Sequence, residues 1–134
     1  MDVLMDLYNV MIADEFIAGK VRYTSGSKTQ YRIKFQEYPA TGDVNGAYIV
    51  IDPISAPIDT DFADDVILAS ETLLDIDVWT KKRTESKELS DAIKKLVKEH
   101  GYYAFGGAPP EYDKSSGIHR DMRRYRKKVN SEEY

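Results

Sequence analysis

The chain has 134 residues, of which 42% are hydrophobic and 31% are charged. This composition fits one domain with a real core and excludes wholesale disorder. The absence of cysteine excludes disulfides and thiolate metal ligands and is typical of synthesis in a reducing compartment. The acidic N-terminus carries no secretion signal, and no apolar run approaches the ~20 residues of a membrane span. We therefore expect a soluble protein that is made inside the cell.

The net charge of −4 is distributed unevenly along the chain. Residues 119–128 carry +5, so the rest of the chain carries −9. The basic residues are Arg120, Arg123, Arg124, Arg126, Lys127 and Lys128, and acids concentrate at Asp59, Asp61, Asp64 and Asp65. A basic end and an acidic body can attract each other between copies, or attract a polar partner.

The N-terminal half predicts one helix followed by strands. Apolar positions in residues 2–18 recur at helical spacing, and Gly19 can end that helix. Residues 21–23 fit a short strand. Residues 31–35 and 48–51 alternate as strands around a turn-rich loop at 39–46, so a hairpin is the simplest interpretation.

The middle of the chain contains the clearest patterns. Residues 52–65, with two prolines and five aspartates, predict an exposed loop. Residues 66–80 predict one long strand, or two broken near Ser70. On that strand Leu74, Ile76, Val78 and Thr80 share one face, and Asp75, Asp77, Trp79 and Lys81 share the other. The only tryptophan therefore lies among charges, on a face that is either solvated or covered by another subunit.

An amphipathic helix is predicted next, over residues 87–100, with Ser86 as its N-cap and Gly101 as its stop. The glycines and prolines of residues 106–110 predict a break. Residues 118–125 predict a closing strand, although a helix remains an alternative, and residues 130–134 a frayed tail. This order of elements indicates a single α+β domain, with helices packed on a mostly antiparallel sheet.

Candidate chemistry is sparse. Asp75 and Asp77 could hold a divalent cation together with Glu71, and Glu85-Ser86-Lys87 offers a nuclease-like string at a helix start rather than on a neighbouring strand. Solvated or ion-paired carboxylates are the favoured interpretation. We find no constellation that indicates an enzyme, a metal site or a cofactor. A small metal-dependent nuclease or nucleic-acid-binding protein, using this acid pair and the basic residues 120–128, stays as the alternative.

Several segments resemble, in order along the chain, one family of small virion proteins. They are the N-terminal helix, the strand and turn at residues 49–54, the strand at 75–81, the helix at 89–97, and the end at 117–126. In this order the chain resembles the tail-terminator and tail-completion proteins of long-tailed bacteriophages. In that family a strand with a Val-Trp-Ser/Thr-Lys-like ending precedes the main helix.

The resemblance implies a structural virion protein of the tail–neck region, made in the bacterial cytoplasm, with an α+β fold. It implies a hexameric ring that caps the tail tube, contacting the major tail protein and the head-closure connector, with possible non-specific contact to DNA in the channel. A ring subunit needs two unlike lateral surfaces. The candidates for these contacts are Asp59, Asp61, Asp64, Asp65, Trp79, Arg120, Arg123, Arg124 and Arg126.

Overall fold

A computed structural model of the chain describes residues 3–39, 46–54, 58–63 and 66–130, with the backbone alone over residues 58–63, 66–70 and 128–130. The fold is α+β, as predicted: within these ranges three helices pack on a mostly antiparallel sheet. The elements are α1 Val3–Ala13, α2 Glu15–Val21, β1 Arg22–Ser25, β2 Lys28–Tyr31, β3 Ile33–Phe35, β4 Tyr48–Pro53, β5 Ile58–Ala63, β6 Val66–Thr80, α3 Arg83–Glu99, β7 Tyr103–Gly107, β8 Glu111–Asp113 and β9 Ile118–Asn130.

The N-terminal helix is divided in two at Asp14. The Asp14 carboxylate accepts a hydrogen bond of 3.0 Å from the backbone N–H of Ile17, which makes Asp14 the N-cap of α2. The prediction of one helix ended by Gly19 is therefore wrong. Gly19 lies inside α2, because Asp14 caps the start of this second helix. The buried Ile17 and Val21 then hold α2 against the core.

Residues 31–35 do not form a hairpin with residues 48–51, which corrects a second prediction. Arg32 interrupts the strand, so that β2 pairs with β1 in a two-stranded hairpin and β3 pairs with β4 in parallel. The Arg32 guanidinium donates to the carbonyls of Lys20 and Ala47, at 3.3 and 3.0 Å, and fixes this division. A parallel pair needs a crossover, which residues 36–47 supply; most of the predicted loop at 39–46 lies outside the described residues.

The main sheet is built around two long strands, β6 and β9. The outer edge of each one pairs with two shorter strands, and with β5 and β8 it forms a hairpin. Along β6, β4 pairs with residues 74–79 and β5 continues on the same edge with residues 66–71. Along β9, β7 and β8 likewise follow one another on one edge.

The prediction of an exposed loop at 52–65 is wrong over the described part of this segment, because the backbone of β5 pairs with β6. The predicted break at 106–110 is also too long, because β7 runs through Gly107.

The two longest strands agree with the predicted pattern. Residues 66–80 form one unbroken strand, β6, and the closing strand β9 contains the predicted residues 118–125 and continues to Asn130. The predicted tail begins with this residue, and residues 131–134 lie outside the described part of the chain. β6 and β9 pair antiparallel from Ala69↔Asn130 to Thr80↔His119.

Helix α3 begins at Arg83, four residues before its predicted start. Ser86 is not the N-cap; it lies buried in the first turn, where its hydroxyl donates to the Arg83 carbonyl at 2.9 Å. Lys82 is the capping residue and contributes no side-chain bond. The predicted end is confirmed, since the helix stops at Glu99 and Gly101 adopts a φ of +89°.

The core lies between the helices and one face of the sheet. Helix α3 packs against β6, β9 and β7, and α1 and α2 pack against α3. The most deeply buried core side chains include Leu7, Met11, Ile17, Ile49, Ile51, Leu74, Leu89, Ile93 and Tyr125. Among the described residues, no helix is long and apolar enough to cross a membrane.

The close approach of β7 to β9 predicts opposite effects for two glycine substitutions. Gly107 has a φ of +146°, and a Cβ there would collide with the Met122 carbonyl, whereas Gly19 is helical with open space around it. We expect Gly107→Ala to lower the free energy of unfolding by roughly 2–4 kcal/mol. Gly19→Ala should raise it by about 0.5–1 kcal/mol. Urea denaturation of both variants tests this, and equal effects would contradict the described β7–β9 pairing.

Two buried tyrosines make stability fall at alkaline pH. Burial raises the pKa of Tyr102 and Tyr125 to about 12, against about 10 in an unfolded chain. Their contribution is complete below pH 10 and is lost as the pH rises towards 12, because only the unfolded chain ionises in that window. Between pH 9 and 12, the urea midpoint of the Tyr125→Phe variant should fall less steeply than that of the unmodified chain. The matched control, Tyr103→Phe at an exposed position, should follow the unmodified chain.

Candidate functional site

The candidate site is the face of the sheet opposite the helices. On β6 the residues Asp75, Asp77 and Trp79 alternate with the core-facing Leu74, Ile76 and Val78. The β6–β9 register sets Arg124 opposite Asp75, and Arg120 opposite Trp79. Acidic residues of one strand thus lie beside basic residues of its neighbour, an arrangement that stabilises antiparallel pairs. We call this surface the ion-pair face.

Asp75 and Arg124 form a direct cross-strand ion pair. The Arg124 Nε donates to Asp75 Oδ1 at 2.9 Å, and a second guanidinium nitrogen lies 3.4 Å from Oδ2. This fork matches the two oxygens of a carboxylate. The hydrogen bond from Arg124 and its attraction to Asp75 raise the pKa of the guanidinium above its ordinary value.

Asp77 and Arg120 form a second pair on the diagonal, and this pair is far less exposed to water. The guanidinium reaches Asp77 Oδ2 at 2.5 Å, and the Asp77 side chain is 1% exposed against 38% for Arg120. Burial lowers the pKa of Arg120, but the hydrogen bond and attraction of Asp77 outweigh it and raise the pKa overall. Asp77 Oδ1 has no hydrogen-bond partner within the described residues. Arg120 is therefore the counter-ion on which the burial of this carboxylate depends.

Aromatic rings complete the face around Arg120. The guanidinium lies 4.7 Å from the Trp79 ring centroid and 5.7 Å from that of Tyr38, and these rings are 5.8 Å apart. Burial, then the charges of Asp52 and Asp77, raise the pKa of the Tyr38 phenol. Its ring therefore stays neutral over the carboxylates. Cation–π contacts of this kind add to an ion pair rather than replace it.

Arg123 belongs to the opposite, helix-facing side of β9. Its guanidinium lies 2.9 Å from Asp91 on α3 and 3.1 Å from Asp121 on its own strand. These contacts raise its pKa, although burial lowers it. Arg123 therefore ties α3 to the sheet.

Arg126 is the exposed member of the basic strand. Its guanidinium lies 5.6 Å from the Phe105 ring, and no ion pair to it is found among the described side chains.

The residues predicted for the site are thus separated into three groups. Trp79, Arg120 and Arg124 come together on the ion-pair face, Arg123 lies on the other side of the sheet, and Arg126 faces solvent. Asp59 and Asp61 lie on β5, where the backbone alone is described; Asp64 and Asp65 lie outside the described residues.

Asp75, Asp77 and Trp79 are buried within this chain, because Arg120, Arg124 and Tyr38 cover them, so the expectation of a solvated face is wrong for these three residues. Cover by another subunit stays a prediction. The pairing of the two acids with arginine favours the ion-pair interpretation over a metal site. Among the described residues, no group of three or more acidic, histidine or cysteine side chains is placed to hold a metal ion.

Two contributors to the site were not predicted. After β3 the chain turns at Gln36, which has a φ of +57°, and Tyr38 then packs on Trp79. No sequence pattern links this segment to Trp79. Asp91 contacts Arg123 from an exposed helical position that looks like any solvated acid. The signal that could have been used is the alternation itself: Asp-x-Asp on one strand and Arg-x-x-x-Arg on another favour cross-strand pairing.

No family model matches the chain, and no curated protein matches it at a significant level.

The burial of Asp77 predicts an unequal pair of variants. Arg120→Met removes the counter-ion of a carboxylate that is almost fully buried, and should lower the free energy of unfolding by about 2–3 kcal/mol. Arg124→Met should cost less, because its partner Asp75 is 12% exposed, against 1% for Asp77. Adding Asp77→Asn to Arg120→Met should restore part of the loss. Urea denaturation at pH 7 measures these effects, and equal losses in Arg120→Met and Arg124→Met would contradict the described burial of Asp77.

Proposed function

We propose that this chain is a structural subunit that forms a ring on the tail tube of a long-tailed bacteriophage and joins the tail to the head-side connector. The proposal rests on the resemblance in segment order, on the α+β fold that this resemblance implies, and on one structural observation. That observation is a long β-hairpin, formed by β5 and the first half of β6, which continues beyond the β6–β9 ladder.

The geometry of this hairpin arm, residues 58–73 of β5 and β6, supports an assembly role. The described core members on β6 are Leu74, Ile76 and Val78. The strand begins eight residues before Leu74, which is about 26 Å at the ordinary rise of a strand. Residues 69–73 of this stretch also pair with β9, so residues 66–68 continue beyond the β6–β9 ladder. Among the described strands, none pairs with the outer edge of β5, and such an edge suits strand pairing or clasping between subunits.

The charge distribution needs a revised role within this proposal. The acidic residues 59–65 were expected to pair with Arg120–Arg126 of a neighbouring copy. Arg120, Arg123 and Arg124 already bind acids of their own chain, and their charges stabilise the subunit. Arg126 remains as the exposed cation that could meet a neighbour or DNA phosphates. We therefore assign the proposed contact between subunits to the hairpin arm rather than to the basic strand as a whole.

The nuclease alternative loses its main support. It required Asp75 and Asp77 as metal ligands, and each of these carboxylates is bound by an arginine. A metal ion at Asp77 would either displace the Arg120 guanidinium from this carboxylate or lie beside it, where the two positive charges repel each other. No observation on the described residues favours this alternative.

Shortening the arm should abolish assembly while preserving the subunit. In the test variant a two-residue Asn-Gly turn replaces residues 60–69, so that β4 and the second half of β6 keep their pairing. We expect the unmodified chain to form rings, alone or on mixing with the tail-tube protein encoded beside it, and the variant to remain monomeric with unchanged helix content. Mass photometry and electron microscopy measure the rings, and circular dichroism measures the fold.

The matched control shortens a second hairpin, at the exposed residues 24–29 between β1 and β2, and should leave assembly unchanged. A monomeric unmodified chain, both alone and with the tube protein, would contradict the proposal. So would a gene neighbourhood without phage tail genes.

A further inference from the structure

The segment around the β1–β2 hairpin carries basic residues and no acidic ones. Residues 16–36 contain neither aspartate nor glutamate, and their charge is +5 in a chain whose net charge is −4. The five cations are Lys20, Arg22, Lys28, Arg32 and Lys34. The other residues of the chain together carry −9. A basic segment that is separated in this way from the acids of the chain favours a polyanionic partner.

These five charges have no acidic partner within the described part of the chain. The ion pairs among the described side chains involve only Arg120, Arg123 and Arg124. The Arg32 guanidinium donates to two backbone carbonyls, which do not neutralise its charge. Three arginines of β9 thus stabilise the subunit, whereas the cations around the hairpin retain their charge for a partner.

The hairpin has the shape of an exposed ribbon of two strands, and it is separate from the main sheet. Residues 22–30 are all exposed. The Arg32 N–H donates to the Val21 carbonyl at 2.9 Å at the base of the ribbon, and Gly26, with a φ of +64°, allows the tight turn at its tip. The major groove of duplex DNA, about 12 Å wide, admits such a two-stranded ribbon. The major groove of duplex RNA is too deep and narrow for it.

The side chains on one face of the ribbon are of the kinds that contact phosphates. The register sets Tyr23 beside Gln30 and Ser25 beside Lys28, and such cross-strand partners share a face. The Tyr23 phenol donates to Gln30 Oε1 at 2.5 Å, and the Arg32 guanidinium lies 5.3 Å from the Tyr23 ring centroid. These contacts order the face before a ligand binds, which lowers the entropy cost of binding. Lysine, hydroxyl and amide side chains are common donors to phosphate oxygens.

We propose that the β1–β2 hairpin binds the phosphate backbone of double-stranded DNA, independently of base sequence. The ribbon enters the major groove, and Arg22 and Lys28, which the register places on opposite faces, meet phosphates on its two sides. Lys34, which is exposed on β3, adds a third phosphate contact. This surface includes neither the acid pair of β6 nor the basic strand β9. It is also independent of the proposed ring, in which the hairpin has no role.

Titration of a short, fluorescein-labelled DNA duplex with the full chain tests the proposal by fluorescence anisotropy. We expect saturable binding, and an unrelated duplex of the same length should bind equally well. Because three exposed cations replace counter-ions, a plot of log K against log salt concentration between about 50 and 200 mM should have a slope near −3.

The double variant Arg22→Gln/Lys28→Gln should bind DNA about tenfold more weakly or worse at about 50 mM salt, with a slope near −1. The matched control is Lys95→Gln/Lys98→Gln, which removes the same charge from exposed positions of α3. This control should bind as the unmodified chain does, because salt screens charges that lie away from the contact. Circular dichroism verifies that both variants are folded.

Three results would overturn the proposal: no binding at low salt, equal weakening in the α3 control, or a larger loss in Arg126→Gln than in the hairpin variant. Polyglutamate at equal charge concentration serves as competitor. If it displaces DNA as well as unlabelled duplex does, the hairpin recognises acidic protein rather than DNA. These titrations use the free chain, so their failure leaves the ring proposal unaffected, and the absence of rings leaves the DNA result unaffected.

Discussion

The structure depends on the antiparallel pairing of β6 with β9. This ladder runs from Ala69↔Asn130 to Thr80↔His119 and joins the two long hairpins into one sheet. Its register fixes every side chain on both faces, because a shift by one residue would turn each strand over. The observed register sets Leu74 beside Tyr125 under α3 and Asp75 beside Arg124 on the opposite side. Apolar burial and charge pairing therefore select the same alignment.

The two faces of the sheet are buried by different means. Helices cover one face with aliphatic side chains, and the hydrophobic effect dominates there. On the other face, arginines and aromatic rings of the sheet itself cover the carboxylates, and Asp77 reaches 1% exposure without a helix above it. Such a face gains less from burial, since desolvation offsets much of the attraction between the charges.

The same topology connects the fold with the proposed assembly. Each long strand carries two shorter strands in succession along one edge. The β6–β9 ladder spans residues 69–80 of β6, so residues 66–68 are the part of the hairpin arm on β6 that continues beyond it. The basic strand, by contrast, has an internal role, because three of its arginines neutralise acids of the same chain.

The sequence by itself determined the α+β class, the strand character of residues 66–80, the alternation around Trp79 and the apolar face of α3, because these follow from local periodicity. That residues 66–80 form one strand, rather than two broken near Ser70, was decided by the structure. Tertiary structure decided the parallel pairing of β3, the pairing of β5 with the first half of β6, and the restart of the helix after Asp14. The two strand pairings depend on contacts between distant residues, such as Arg32 with Ala47. The restart depends on the local Asp14 cap together with the burial of Ile17 and Val21 in the core. The partners of Asp75 and Asp77 were likewise decided by register: an acidic strand is compatible with water, a metal or arginine until its neighbour is known.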